Sequence, residues 1–69
     1  MTTSGKIKVL MAMKQITQKE MAERLGISQP TLSGKFKLDN WREDDLKKIA
    51  EICECTYEGH FRLNDGKEI

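Results

Sequence analysis

Thr17-Gln-Lys-Glu-Met-Ala-Glu-Arg-Leu-Gly-Ile-Ser-Gln-Pro-Thr-Leu-Ser-Gly-Lys-Phe-Lys37 is the stretch whose reading decides the fold. It spells two short helices broken by one tight turn. Thr17 and Glu20 stand three residues apart, the layout of a capping box that opens a helix. Met21, Ala22 and Leu25 follow at i, i+1 and i+4 and give that helix one apolar stripe. Gly26 stands where a helix ends in a residue tolerant of positive φ. Ser28 is a second N-cap. Pro30 falls in the first turn of the next helix, where its missing N–H costs little. Leu32 and Phe36 give the second helix a buried side. Gln29, Pro30, Ser33, Gly34 and Lys37 make its other side small, polar or basic.

The chain around this stretch is short and unevenly charged. Its 69 residues bound it to one domain, near the size at which a chain buries about 60% of its extended surface. A third of the residues are charged and 38% are apolar, the balance of a soluble helical domain. No apolar run approaches the roughly 18 residues of a membrane span, and the N-terminus lacks a signal-peptide layout, so a cytoplasmic protein is expected. Residues 1–37 hold six Lys and one Arg against two Glu, a net of +5. Residues 38–69 hold three Lys and two Arg against nine acids, a net of −4. The basic half carries the two-helix stretch, which suits a compact DNA binder with one face toward phosphates.

Enzyme chemistry lacks its parts. His60 is the only histidine, and there is no Gly-rich phosphate loop or nucleophile elbow. Cys53-x-Cys55 with His60 nearby offers three metal ligands, but a fourth is missing and the spacing fits no common zinc pattern. Cys53 is instead expected to be a small buried hydrophobe, reduced like its neighbour. No cofactor, metal or small-molecule substrate is expected.

The stretch resembles the helix-turn-helix of the phage repressor and Cro class, the xenobiotic response element (XRE) family. Gln18, Ala22, Gly26 and the apolar set Met21, Leu25, Ile27 and Leu32 carry the resemblance. It extends into Ile7–Met11 before the stretch and Asp45–Ala50 after it, covering about three quarters of the chain. It implies a mainly α fold of four to five short helices, a transcriptional repressor that is bacterial or phage-encoded, and double-stranded DNA as partner. It also implies that Gln18 clamps a phosphate and that Lys6 or Lys8 lies near the DNA backbone.

In this arrangement the second helix of the motif enters the major groove, N-terminal residues toward the bases. Gln29 is the best base reader, since its amide can bond an adenine edge twice. Ser28, Thr31 and Ser33 offer hydroxyls, and the Thr31 methyl can meet a thymine methyl. Pro30 can give only apolar contact. Lys35 and Lys37 are expected on phosphates, with a guanine edge as the alternative for either. Gly34 departs from the family, where many relatives carry a longer reader; a narrower code or a close backbone approach follows. Each good base contact discriminates by about 1–3 kcal/mol, so two copies on a palindromic operator are expected. The competing reading keeps the fold as an antitoxin-like or adaptor module that binds protein instead.

Along the rest of the chain, Ser4 is expected to cap a helix over residues 5–14 after a frayed Met1–Thr3. Met11, Met13 and Met21 are expected to fill the core, and Trp41 to anchor it. Arg42-Glu-Asp-Asp45 opens a fourth helix whose acids suit its N-terminus better than they suit a metal or an acid–base pair. Glu43–Lys47 and Asp44–Lys48 are i, i+4 pairs. Thr56 is expected to cap one more helical turn. Phe61, Leu63 and Ile69 alternate with polar residues around Asp65-Gly66, a hairpin signal, so residues 60–69 are expected to form a β-hairpin or arm. Such a ribbon must pack on the helices or pair with a second chain, as some Cro-group members do.

Overall fold

The computed structural model describes all of residues 1–69. Four helices come first: α1 Thr3–Lys14, α2 Gln18–Leu25, α3 Gln29–Leu38 and α4 Glu43–Ile52. Two short antiparallel strands follow, β1 Thr56–Tyr57 and β2 Phe61–Arg62. The fold is thus mainly helical with a C-terminal hairpin, within 33 × 20 × 19 Å.

Each helix boundary in the central motif has a local cause. Thr17 Oγ1 accepts the Glu20 N–H at 3.1 Å, and Glu20 Oε1 accepts the Thr17 N–H at 3.2 Å, which completes the capping box. Gly26 ends α2 at φ 73°, a conformation that costs a side-chain-bearing residue free energy. Ser28 Oγ accepts the Thr31 N–H at 3.2 Å and opens α3. At the other end of α3, Asp39 takes the left-handed conformation at φ 51°.

One side of every helix feeds a common core. Ile7, Leu10 and Met11 of α1, Met21 and Ala22 of α2, Leu32 of α3, and Leu46, Ile49 and Ala50 of α4 meet there, with Cys53, Phe61 and Leu63. Ile16, Leu25, Ile27, Phe36 and Trp41 are half-buried against it. Cys53 is fully buried and both cysteines are free thiols.

The structure corrects several sequence expectations. Thr2, not Ser4, caps α1: its Oγ1 accepts the Gly5 N–H at 3.0 Å. Ser4 is inside the helix and buried, because Asp39 and Trp41 arrive across the fold to bond it. Trp41 packs half-buried against the core, with its Nε1 turned to that polar cluster. Met11 and Met21 are in the core, but Met13 is 48% exposed on the flank of α1. Neither Glu43–Lys47 nor Asp44–Lys48 forms an ion pair; Asp45, from the same acidic turn, pairs across the fold instead.

Thr56 opens a strand, not a helical turn. Glu54 at φ 55° reverses the chain just after α4, and Tyr57 pairs with Phe61 around Gly59. The Asp65-Gly66 signal is nevertheless used. Gly66 takes φ 91°, and the chain returns so that Phe61 and Ile69 exchange two backbone hydrogen bonds at 2.9 and 3.0 Å. Arg62 and Glu68 form a bridge there. Residues 67–69 therefore lie as an outer third run beside β2, and Phe61 and Leu63 plug the core of their own chain.

Candidate nucleic-acid interface

Helix α3 turns 100° per residue, and its burial pattern fixes which way it faces. Leu32 is buried and Phe36 half-buried, so that side faces inward. The opposite side centres on Pro30 and Gly34, flanked by Ser33 and Lys37 on one edge and by Thr31 and Leu38 on the other. Pro30, Thr31, Ser33, Lys37 and Leu38 are all exposed, and Gly34 is half-exposed. Gln29, the first residue of α3, is exposed at the mouth of the turn, as is Gln18 at the start of α2. Gln18, Gln29 and the outward side of α3 are thus all open to solvent, with Ser33 and Lys37 the polar edge of that side and Leu38 its apolar end.

Several groups on that surface are free to bond a ligand. The side chains of Gln18, Gln29, Ser33 and Lys37 make no hydrogen bond within the chain, while Ser28 and Thr31 share a hydroxyl–hydroxyl bond of 2.8 Å. A Cβ built on Gly34 would meet nothing within 4 Å, and its helical backbone does not require glycine. The opening at this position faces outward rather than into the fold. No pocket opens on this surface.

Lys35 is placed differently from the other expected site residues. It is half-buried at the margin of the inward side, and its Nζ donates to Asp45 Oδ2 at 2.9 Å. Among the other basic residues, Lys8 holds its Nζ 5.4 Å from the centroid of the Phe36 ring, within cation–π range.

Sequence reasoning missed the joint that fixes the far end of α3. Asp39 Oδ1 accepts from the Ser4 N–H at 2.9 Å and from Ser4 Oγ at 2.7 Å; Ser4 Oγ in turn accepts the Trp41 Nε1–H at 2.9 Å. The Phe36 and Trp41 rings meet edge to face at 4.9 Å beside it. The Ser4 bonds hold the Asp39 carboxyl below its ordinary pKa. The Asp39-Asn40 pair just after a helical pattern is a left-handed cap signal, but nothing in the sequence indicates that its partner lies 35 residues back.

Cys53, Cys55 and His60 do not converge into a group able to hold a metal. Burial pushes the Cys53 thiol up to about 11, helped by Cys55 beside it, and burial also raises that of Cys55.

Two short helices joined at a glycine turn, the second presenting an exposed polar side, define a helix-turn-helix domain that binds double-stranded DNA. The family model of the Cro/C1-type HTH DNA-binding domain matches residues 6–59, from α1 to the turn after β1, and the chain belongs to that family. No curated protein and no solved structure matches the chain. Membership makes it a DNA-binding regulator.

Proposed function

We propose that this regulator is a sequence-specific repressor that occupies a palindromic operator as a homodimer. The observation that carries the reading is Gln29, exposed at the start of α3 with an amide that no group in the chain engages. Docked N-terminus first in the major groove, it can bond both edge atoms of an adenine. Ser33 lies 40° around the helix on the same edge and Lys37 a further 40°, so base reader, hydroxyl and phosphate contact follow one line along the groove. Ser28, Pro30, Thr31 and Gly34 complete the face, and Gln18 offers its amide and the free N–H groups of the α2 start to a phosphate.

Two arguments support a dimer. One α3 supplies few readers, and each is worth about 1–3 kcal/mol of discrimination. Residues 67–69 also form an outer run beside β2 on which the Glu68 backbone N–H and C=O are left unbonded, a point where a second chain can pair. Occupying an operator is enough to repress.

Selection from a randomised duplex pool tests this. The expected result is a two-fold symmetric sequence with half-sites about 34 Å apart. Gln29→Ala is expected to relax preference at one base pair of each half-site. Lys37→Ala is expected to weaken all sequences alike and to lower the salt slope by about 0.9. Recovery of no preferred sequence would overturn the repressor reading.

Leu38 favours a second reading. It is 74% exposed on the outward side of α3, in line with Pro30 and Gly34, and an apolar stripe of that kind suits a protein partner. In that case duplex binding shows neither a preferred sequence nor a salt slope.

A further inference from the structure

Lys35 is one of the cations a DNA-binding helix would offer to phosphates, and it is the one the fold already engages. Its ion pair with Asp45 spans 2.9 Å, with side chains only 20% and 24% exposed. The remaining pairs, which join His60, Arg62, Glu58 and Glu68, lie at the C-terminal hairpin with side chains 37–51% exposed. Asp45 Oδ2 is used twice: it also accepts the Arg42 N–H at 3.0 Å and so closes the first turn of α4. Burial works to raise the pKa of this carboxyl, yet it stays below the ordinary value because the Lys35 ammonium and the Arg42 N–H bond it and both cationic side chains face it.

The position of this pair gives it leverage over α3. Ser4 and Asp39 tie the end of the helix to α1. The Lys35–Asp45 bond is the only hydrogen bond or ion pair that joins α3 to α4. Lys35 lies about 100° around the helix from Gly34, on the flank rather than on the outward centre. A bond there adds to the burial of Leu32 in resisting rotation of α3 about its own axis, and so sharpens the direction in which Gln29, Ser33 and Lys37 point.

We propose that Lys35 is a positioning residue rather than a phosphate contact: the Asp45 carboxylate withholds its ammonium from the duplex and steadies the roll that core burial gives the reading helix. The proposal rests on α3 being the helix that meets DNA. A free lysine is a flexible point charge that contacts the phosphates of any sequence. Tying it down removes a contribution that is blind to sequence. Asp45 thereby raises the ratio of specific to non-specific binding without touching a base.

The test measures affinity against salt concentration on a selected duplex and on a random one. The proteins are the intact chain, Lys35→Met, Lys35→Arg, Asp45→Asn and Lys37→Met, each checked for folding by circular dichroism at the assay temperature. Asparagine at 45 keeps an oxygen for the Arg42 N–H, so the start of α4 survives, but it loses the negative charge that holds the Lys35 ammonium in place. Lys35→Met is expected to leave the salt slope unchanged and to lower preference for the selected duplex. Lys35→Arg keeps the pair and is expected to restore that preference. Asp45→Asn frees the ammonium: the slope steepens by about 0.9, and the random duplex binds several-fold more tightly. A slope flattened by about 0.9 in Lys35→Met would show a phosphate contact and overturn the proposal, as would an unchanged slope in Asp45→Asn. Lys37→Met separates the two levels. If the intact chain binds with a salt slope that Lys37→Met flattens, α3 is at the DNA and the other variants decide the role of Lys35. If the intact chain shows no slope, the DNA-reading of α3 falls and the proposal with it.

Discussion

Ser4→Ala removes a single oxygen on which the placement of α3 depends. Ser4 Oγ carries one proton, and the 2.7 Å bond to Asp39 Oδ1 takes it in preference to the Phe36 carbonyl at 3.3 Å. The same oxygen accepts the Trp41 Nε1–H. Alanine therefore deletes two bonds. Asp39 keeps the backbone N–H of residue 4 and is exposed, so water replaces part of what it loses. Trp41 Nε1 loses its 2.9 Å acceptor and is left with only the weaker approach of the Asp39 carboxylate, and a half-buried donor deprived of its partner costs about 1–3 kcal/mol. Alanine recovers a few tenths of a kcal/mol of helix propensity, so the net loss is about 2 kcal/mol. For a domain of this size that lowers Tm by about 8–16 °C. Thermal melts followed by circular dichroism and by Trp41 fluorescence give the number. A loss below about 0.5 kcal/mol, the range of surface substitutions without a special role, would refute the reasoning, because the cluster would then not be holding the end of α3. Since Asp39 ends α3, the same variant is expected to bind a selected duplex more weakly.

Gly34→Ala is expected to stabilise the fold by up to about 1 kcal/mol, because the added methyl meets nothing and the backbone is already helical. Its melt should rise by a few degrees while affinity for the selected duplex falls; an unchanged affinity would show that the duplex does not approach this position closely. Acid should destabilise the protein in a defined window. Glu20, Asp39, Asp45 and Glu68 all hold their carboxyls below their ordinary values of 4.5 or 3.8, through hydrogen bonds and, for Glu20, Asp45 and Glu68, nearby positive charge. The unfolded chain takes up these protons first, so stability is level above about pH 5 and falls as pH drops through and below the ordinary values; denaturant midpoints from pH 7 to pH 2 check this. Cys53 should resist thiol reagents at pH 8 in the folded protein, because it is fully buried and its thiol pKa is about 11. It should react only as fast as the chain opens, and labelling at the rate of a free thiol would contradict the buried placement.

The central motif was legible because its signals are local. Thr17 with Glu20, Gly26, and Ser28 before Pro30 each act within four residues, and the apolar spacing of Met21, Ala22 and Leu32 needs only the helical period. Most of the outward face of α3 was legible for the same reason: once Leu32 and Phe36 point inward, Pro30, Ser33, Gly34 and Lys37 must point elsewhere, while Gln29 is exposed because it opens the helix. Boundaries set by distant partners were not legible. Ser4 has the chemistry of a cap and sits before a helical pattern, yet Thr2 caps α1 because Asp39 and Trp41 claim Ser4 from the other side of the fold. Thr56 resembles a cap as well, but the turn at Glu54 and the pairing of Tyr57 with Phe61 make it a strand. The Asp65-Gly66 turn was read correctly as a reversal, while the first hairpin around Gly59 lacked the paired turn residues that announce one.

The sequence by itself determined the first four helices, the turn between the two central ones, and the exposure of Pro30, Ser33 and Lys37 on α3, since these follow from caps, glycine and helical spacing. Only the tertiary structure decided which polar groups are left for a ligand. Lys35 and Lys37 are both basic, two residues apart on one helix. They differ because two helical steps turn them 200° apart into two environments, and Asp45, ten residues along the chain from Lys35, lies on one side only. That difference depends on where α4 packs, and α4 packs where Leu46, Ile49 and Ala50 can be buried.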